Sequence, residues 1–121
     1  MNALTRVHPN AANARATFHA DIVKEVAAAV ASHPVVVVGM GWNPVVKKAR
    51  ALLQTKEVPY HYVGYGDYTS KWKERLAIKL WSGWPTFPQV FVHGMLIGGA
   101  ADLQKLMDSG EFARLLEQPP A

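Results

Sequence analysis

The sequence predicts an α/β domain: a mixed four-stranded sheet flanked by helices. Three observations carry this. Val35-Val36-Val37-Val38 is an unbroken β-branched run, the pattern of a strand buried on both faces and therefore placed between two helical layers. Elsewhere the apolar residues alternate between helical spacing and short extended runs, in the order α-β-α-β-α-β-β-α. The last two extended runs are joined only by His93-Gly94, a tight hairpin turn. A βαβ unit followed by a hairpin and a closing helix then gives parallel and antiparallel pairs in one sheet.

Each element has a local reason. Phe18, Ile22, Val23, Val26 and Val30 form one apolar face over about Thr17 to Ser32, and His33-Pro34 stops that helix. After the valine strand, Gly39-Met40-Gly41-Trp42 reads as a turn. Asn43 reads as an N-cap and Pro44 as the first residue of a helix running to about Lys56. Val58 to Val63 reads as the second strand, Gly64 to Asp67 as a loop, and Thr69 as the cap of a helix through Leu80 with Trp72, Leu76 and Leu80 on its inner stripe. Gln89 to Val92 and Met95 to Ile97 are the hairpin strands, and a last helical region covers Ala101 to Glu117, interrupted near Ser109-Gly110. Residues 18–117 are expected to form the domain, with 1–17 a flexible, irregular N-terminal tail and 118–121 a short C-terminal one.

Composition narrows the chemistry. Half of the 121 residues are hydrophobic, enough for one domain with a real core. There is no cysteine, which excludes disulfides, thiolate metal ligands and cysteine nucleophiles. No stretch of 18 apolar residues occurs, so no membrane partner is expected. The net charge of +4 permits anionic or acidic partners. Like charges do not cluster, and strand alternation accounts for Tyr60 and Tyr62 among Tyr60, Tyr62, Tyr65 and Tyr68, so nucleic acid is not the expected partner. His8, His19, His33, His61 and His93 lack metal-ligand spacing, and no metal site is expected. Trp72, Trp81 and Trp84 are expected in or near the core, and Trp42 as an exposed ring able to meet a protein partner. The acid-poor start, with Arg6 and Arg15 before Asp21, resembles a transit peptide only in composition; the expected location is the cytoplasm, with organellar import the lesser reading.

Trp84-Pro85-Thr86-Phe87-Pro88-Gln89, followed by Gly94, Leu96-Ile97-Gly98-Gly99 and Asp102-Leu103, resembles the C-terminal half of a glutaredoxin. The upstream strand, turn and Lys47-Lys48-Ala49-Arg50-Ala51-Leu52-Leu53 segment are similar to the same family in order and spacing. The resemblance spans roughly residues 18 to 117 and implies a thioredoxin-like fold. It also implies a site at the helix start, where the family carries C-P-x-C or C-G-F-S. Here that place reads Asn43-Pro44-Val45-Val46. Asn43 holds the nucleophile position and Val46 the resolving position, so no catalytic residue is assigned. A helix N-terminus lowers a thiol pKa, but an amide offers no thiolate. It is equally a poor ligand for the family's iron–sulfur cluster, and none is expected.

The resemblance further implies a groove for glutathione or another extended acidic or γ-glutamyl peptide. Arg75 and Lys79 match the family's carboxylate-binding cations. Thr86, Phe87 and the cis-proline position Pro88 match the segment that pairs with the peptide backbone. Gly98, Gly99 and the following helix start match the γ-glutamyl carboxylate site. The family's acid falls on Ala101, with Asp102 one residue on; losing one charge-assisted contact costs about 1.5–3 kcal/mol. Three functions stay open on these residues: a non-catalytic binding module; a glutathione-dependent thiol–disulfide oxidoreductase, if cysteines were removed from positions 43, 46 or 100 or a non-thiol chemistry exists; and a structural or interaction module.

Overall fold

The computed structural model describes residues 6–67 and 69–117, apart from the Arg15 side chain. Tyr68, the first five residues and the expected C-terminal tail lie outside that description. Ten elements follow in order: α1 (Pro9–Thr17), α2 (Ala20–Ser32), β1 (Val35–Gly39), α3 (Pro44–Thr55), β2 (His61–Gly64), α4 (Trp72–Ser82), β3 (Gln89–Val92), β4 (Met95–Gly98), α5 (Ala100–Ser109) and α6 (Glu111–Glu117).

The sheet order is β2-β1-β3-β4. Strand β1 pairs in parallel with β2 and antiparallel with β3, and β3 pairs antiparallel with β4. The valine run fills both faces of this central strand. Val36 and Val38 pack with Val26, Val30, Ile78 and Phe91; Val35 and Val37 pack with Ala49, Leu53, Val90, Val92 and Leu103. Helices α2 and α4 thus cover one face, and α3, α5 and α6 the other. The hairpin turn has His93 at φ 46° and Gly94 at φ 82°, the paired positive angles of a turn whose twist matches its strands.

Several expectations are corrected. Residues 9–17 are not irregular; they form α1. His8 caps it through Nδ1, which accepts from Asn10 N at 3.1 Å, Pro9 fills the first turn, and four alanines favour the helix by propensity. No apolar face marks this segment, so periodicity could not reveal it. Helix α2 begins at Ala20 rather than Thr17, because His19 turns into the left-handed region at φ 45°. Strand β2 starts at His61. Thr69 does not cap α4: its N–H and hydroxyl donate to Asp67 Oδ1 at 2.8 and 2.6 Å, and Lys71 is the residue before the helix. The stripe of Trp72, Leu76 and Leu80 faces outward, not into the core, and Trp81 is also exposed.

Candidate functional site

The turn after β1 is held from below. Gly41 N–H donates to Gly66 O at 2.7 Å and Tyr65 N–H to Gly39 O at 3.1 Å, which ties the turn to the loop after β2. Trp42 then adopts φ 59°, a backbone conformation costly for a bulky side chain. Its ring is 80 % exposed, as the sequence suggested for a contact residue. Asn43 follows in extended conformation and is buried.

Asn43 is an N-cap. Its Oδ1 accepts from Val45 N at 2.9 Å and from Val46 N at 3.0 Å. These are the donors that would stabilise an anion at the start of α3. The side chain at the nucleophile position therefore fills the helix N-terminus with its own neutral oxygen. An iron–sulfur cluster does not fit: the position offers an amide whose oxygen is already engaged, and no thiolate stands anywhere in the chain. Among the described residues no group of three or more histidine or acidic side chains could hold a metal.

The opposite wall is the Trp84–Gln89 segment. The Phe87–Pro88 bond is cis. Phe87 packs in the same cluster as Met40 and Val46, which flank Asn43, so this segment meets the start of α3. Pro88 is buried, and its carbonyl lies beside Gly99, within 3.5 Å of where a Cβ on that residue would stand. Gln89 Nε2 donates to Trp84 O at 3.1 Å, fixing the segment's entry into β3. Thr86 is exposed at its outer edge.

The turn Gly98-Gly99 lies next to this segment, with Gly99 beside the Pro88 carbonyl. Gly98 sits at φ 113°, and a Cβ there would run into the Asp102 carboxylate. Asp102 Oδ2 accepts from Gly99 N at 3.0 Å. The acid thus closes back on the start of its own helix α5, near the place expected to receive a γ-glutamyl group. The first-turn N–H groups of α5, at Ala100 and Ala101, have no acceptor within the helix.

The two expected cations part company. Lys79 Nζ lies 5.6 Å from the centroid of the Phe87 ring, at the groove and half-buried. Arg75 is buried, 7 % exposed, and its Nη1 donates to Tyr65 O at 3.0 Å and Ser70 O at 2.5 Å. Arg75, expected to form a carboxylate clamp with Lys79, instead directs its guanidinium to backbone carbonyls of the 65–70 loop. The sequence shows no signal for this, since those carbonyls belong to a loop whose path is set by tertiary contacts. The structure places Lys79 near the Phe87 ring, Pro88 beside Gly99, and Asp102 against Gly98 and Gly99, with Thr86 exposed next to Phe87, whereas the Arg75 guanidinium turns to the 65–70 loop.

Nearby, Tyr65 donates its hydroxyl to Glu25 Oε1 at 2.9 Å. Burial, and then that acceptor, push its phenol well above the ordinary tyrosine value. Asp67 is held below the ordinary carboxylate value by its bonds from Thr69.

Comparison with known proteins bears on the family and the fold. The family model described as Glutaredoxin matches residues 35–97. A "Glutaredoxin-like protein" of Dictyostelium discoideum is 43 % identical over 107 residues, covering 88 % of this chain and 87 % of the relative. "Glutaredoxin 1" of Rickettsia prowazekii (strain Madrid E) is 35 % identical over 88 residues, covering 73 % of this chain and 92 % of the relative. Among solved structures, oxidized glutaredoxin 2 from Chlamydomonas reinhardtii superposes with a TM-score of 0.68 at 28 % identity, over 81 % of this chain and 92 % of that one. A buckwheat glutaredoxin–glutathione complex superposes with a TM-score of 0.69 over 81 % of this chain and 89 % of that one; at 20 % identity it shows the shared fold.

Proposed function

This chain belongs to the glutaredoxin family, and we propose that it is a thiol-free member acting as a binding module for glutathione or a γ-glutamyl peptide rather than as an oxidoreductase. One observation carries the reading. The residue at the nucleophile position is an asparagine whose oxygen takes both N–H donors of the helix start, at 2.9 and 3.0 Å. That side chain serves the helix, and an amide has no sulfur with which to attack or form a disulfide.

The groove beside it retains what an extended, anionic peptide needs. Phe87 and the cis Pro88 supply the backbone edge, Lys79 a cation, and the α5 start N–H donors for a carboxylate. Asp102, bonded to Gly99, offers negative charge close to the ammonium end of a γ-glutamyl group. The buckwheat complex, with the same fold, holds glutathione, which supports the ligand class. Arg75 has no part in this reading, since it anchors the 65–70 loop.

The test is a titration of reduced glutathione into isotope-labelled protein, followed by amide shifts. Saturable shifts confined to Phe87, Gly99, Ala100 and Asp102, weakened by Lys79→Ala, are the expected result. An unchanged spectrum at 10 mM ligand, an amount about tenfold above a millimolar Kd, removes the proposal.

A further inference from the structure

Helix α4 is turned the opposite way from what its composition favours. Its inner face buries an arginine, Arg75, together with Ala77 and Ile78. Its outer face carries Trp72, Leu76 and Leu80, which are 60, 38 and 63 % exposed. Positions four apart lie along one line of a helix, so the three side chains form a continuous apolar stripe about 12 Å long. The buried arginine is satisfied by two loop carbonyls, but leaving a tryptophan and two leucines exposed gains nothing for the isolated domain. Apolar surface of this kind marks a contact with something else.

What surrounds the stripe says which partner it fits. Helical periodicity places Lys73 on one flank and Lys79 on the other. Lys73 Nζ stands 5.7 Å from the Trp72 ring centroid. The one acid on this helix, Glu74, is already paired with Lys71 at 3.6 Å. The rim is therefore basic on both sides.

We propose that the outer face of α4 is a docking surface for an acidic amphipathic helix of a partner protein. Its apolar residues would pack along Trp72, Leu76 and Leu80, and its carboxylates would meet Lys73 and Lys79. A stripe one side chain wide suits the ridge of another helix, whereas interfacial membrane helices carry a broad apolar face. A second copy of this chain would set Lys73 and Lys79 against the same lysines. The proposal does not rest on the glutathione reading: the stripe holds none of the groove residues, and the flanking Lys79 is the one side chain the two readings share.

The experiment uses the full chain and two stapled 15-residue helical peptides. Each carries leucine at every fourth position, flanked by glutamates in one and by lysines in the other. The glutamate peptide is expected to bind with micromolar Kd and to shift the amides of Trp72, Leu76 and Leu80. The affinity should fall at least tenfold in Leu80→Glu, a change at an exposed position whose circular dichroism should match the parent. In Lys79→Ala, which lacks the one side chain common to both sites, the residual affinity should be unchanged by 10 mM reduced glutathione in a Leu76 or Trp72 readout, which keeps this result apart from any outcome at the groove. Equal binding of the lysine peptide, or none of the glutamate peptide, overturns the proposal. So does cosedimentation with anionic phosphatidylglycerol vesicles that Leu80→Glu abolishes while the peptide leaves α4 unshifted. A dimer in sedimentation velocity that Leu80→Glu converts to monomer overturns it in favour of a second copy.

Discussion

Helices α3 and α5 both begin beside the Phe87–Pro88 segment, and their N-termini are closed by different means. At α3 the neutral Asn43 oxygen takes two N–H groups from within the next turn. At α5 the charged Asp102 reaches back to Gly99 alone, and Ala100 and Ala101 keep first-turn N–H groups without a helical acceptor. The difference separates two roles that a helix start can serve. The α3 start has become a structural cap, worth about 1 kcal/mol to the helix. The α5 start still presents donors and keeps a carboxylate next to them. One helix start is thus closed by a side chain of its own segment, and the other keeps two donors open beside a carboxylate.

The largest expected effect breaks that asymmetry at α3. The parent chain should show no turnover in a glutathione–disulfide exchange assay. Asn43→Cys should give measurable turnover, with a thiol titrating below the ordinary cysteine value near 8.5 because the two freed N–H groups face it. Turnover by the parent would show that the asparagine has not closed the site.

The α5 side is sharpened by Gly98→Ala. Its positive φ and the adjacent Asp102 carboxylate leave no room for a methyl group, so urea unfolding should show a loss of about 2–3 kcal/mol. Gly94→Ala has a similar φ and open space around it and should cost about 1 kcal/mol. Equal losses would mean that the packing of Asp102 against Gly98 contributes nothing.

The two cations give a smaller and opposite pair. Arg75→Met should cost about 2 kcal/mol of stability, because two carbonyls lose their donor, with glutathione affinity nearly unchanged. Lys79→Ala should leave stability within about 0.5 kcal/mol and weaken glutathione about fivefold, the worth of one exposed charged contact near 1 kcal/mol. A reversal of the pair would return Arg75 to the groove.

The smallest effect lies in the loop behind the site. Tyr65→Phe should cost about 1 kcal/mol through the lost bond to Glu25. It should also change the alkaline limb. The folded-state phenol titrates above its ordinary value of 10.0, so above that pH the unfolded chain loses the proton first and stability falls as pH rises. In the phenylalanine variant that part of the decline should be missing from urea midpoints measured between pH 9 and 11.

How much of this was legible beforehand depends on the range of the interactions. The four strands, the hairpin, the Asn43-Pro44 helix start and the break at Ser109-Gly110 follow from neighbours in sequence, and the Trp84–Gln89 pattern with Gly98-Gly99 carried the family resemblance. Helix α1 escaped notice because alanine propensity leaves no apolar period. Thr69 looked like a cap and is instead a donor to Asp67, a choice made by the path of the 65–70 loop.

The sequence by itself determined the element types from α2 onward, the mixed sheet around Val35–Val38 and the absence of a thiol, since all of these rest on local preference or on composition. Only the tertiary structure decided which face of α4 turns inward and what Arg75 does. Helical spacing defines a stripe but not the side on which the core lies. Carbonyls of a loop between β2 and α4 draw the guanidinium inward, and the Trp72, Leu76 and Leu80 side chains are left facing out.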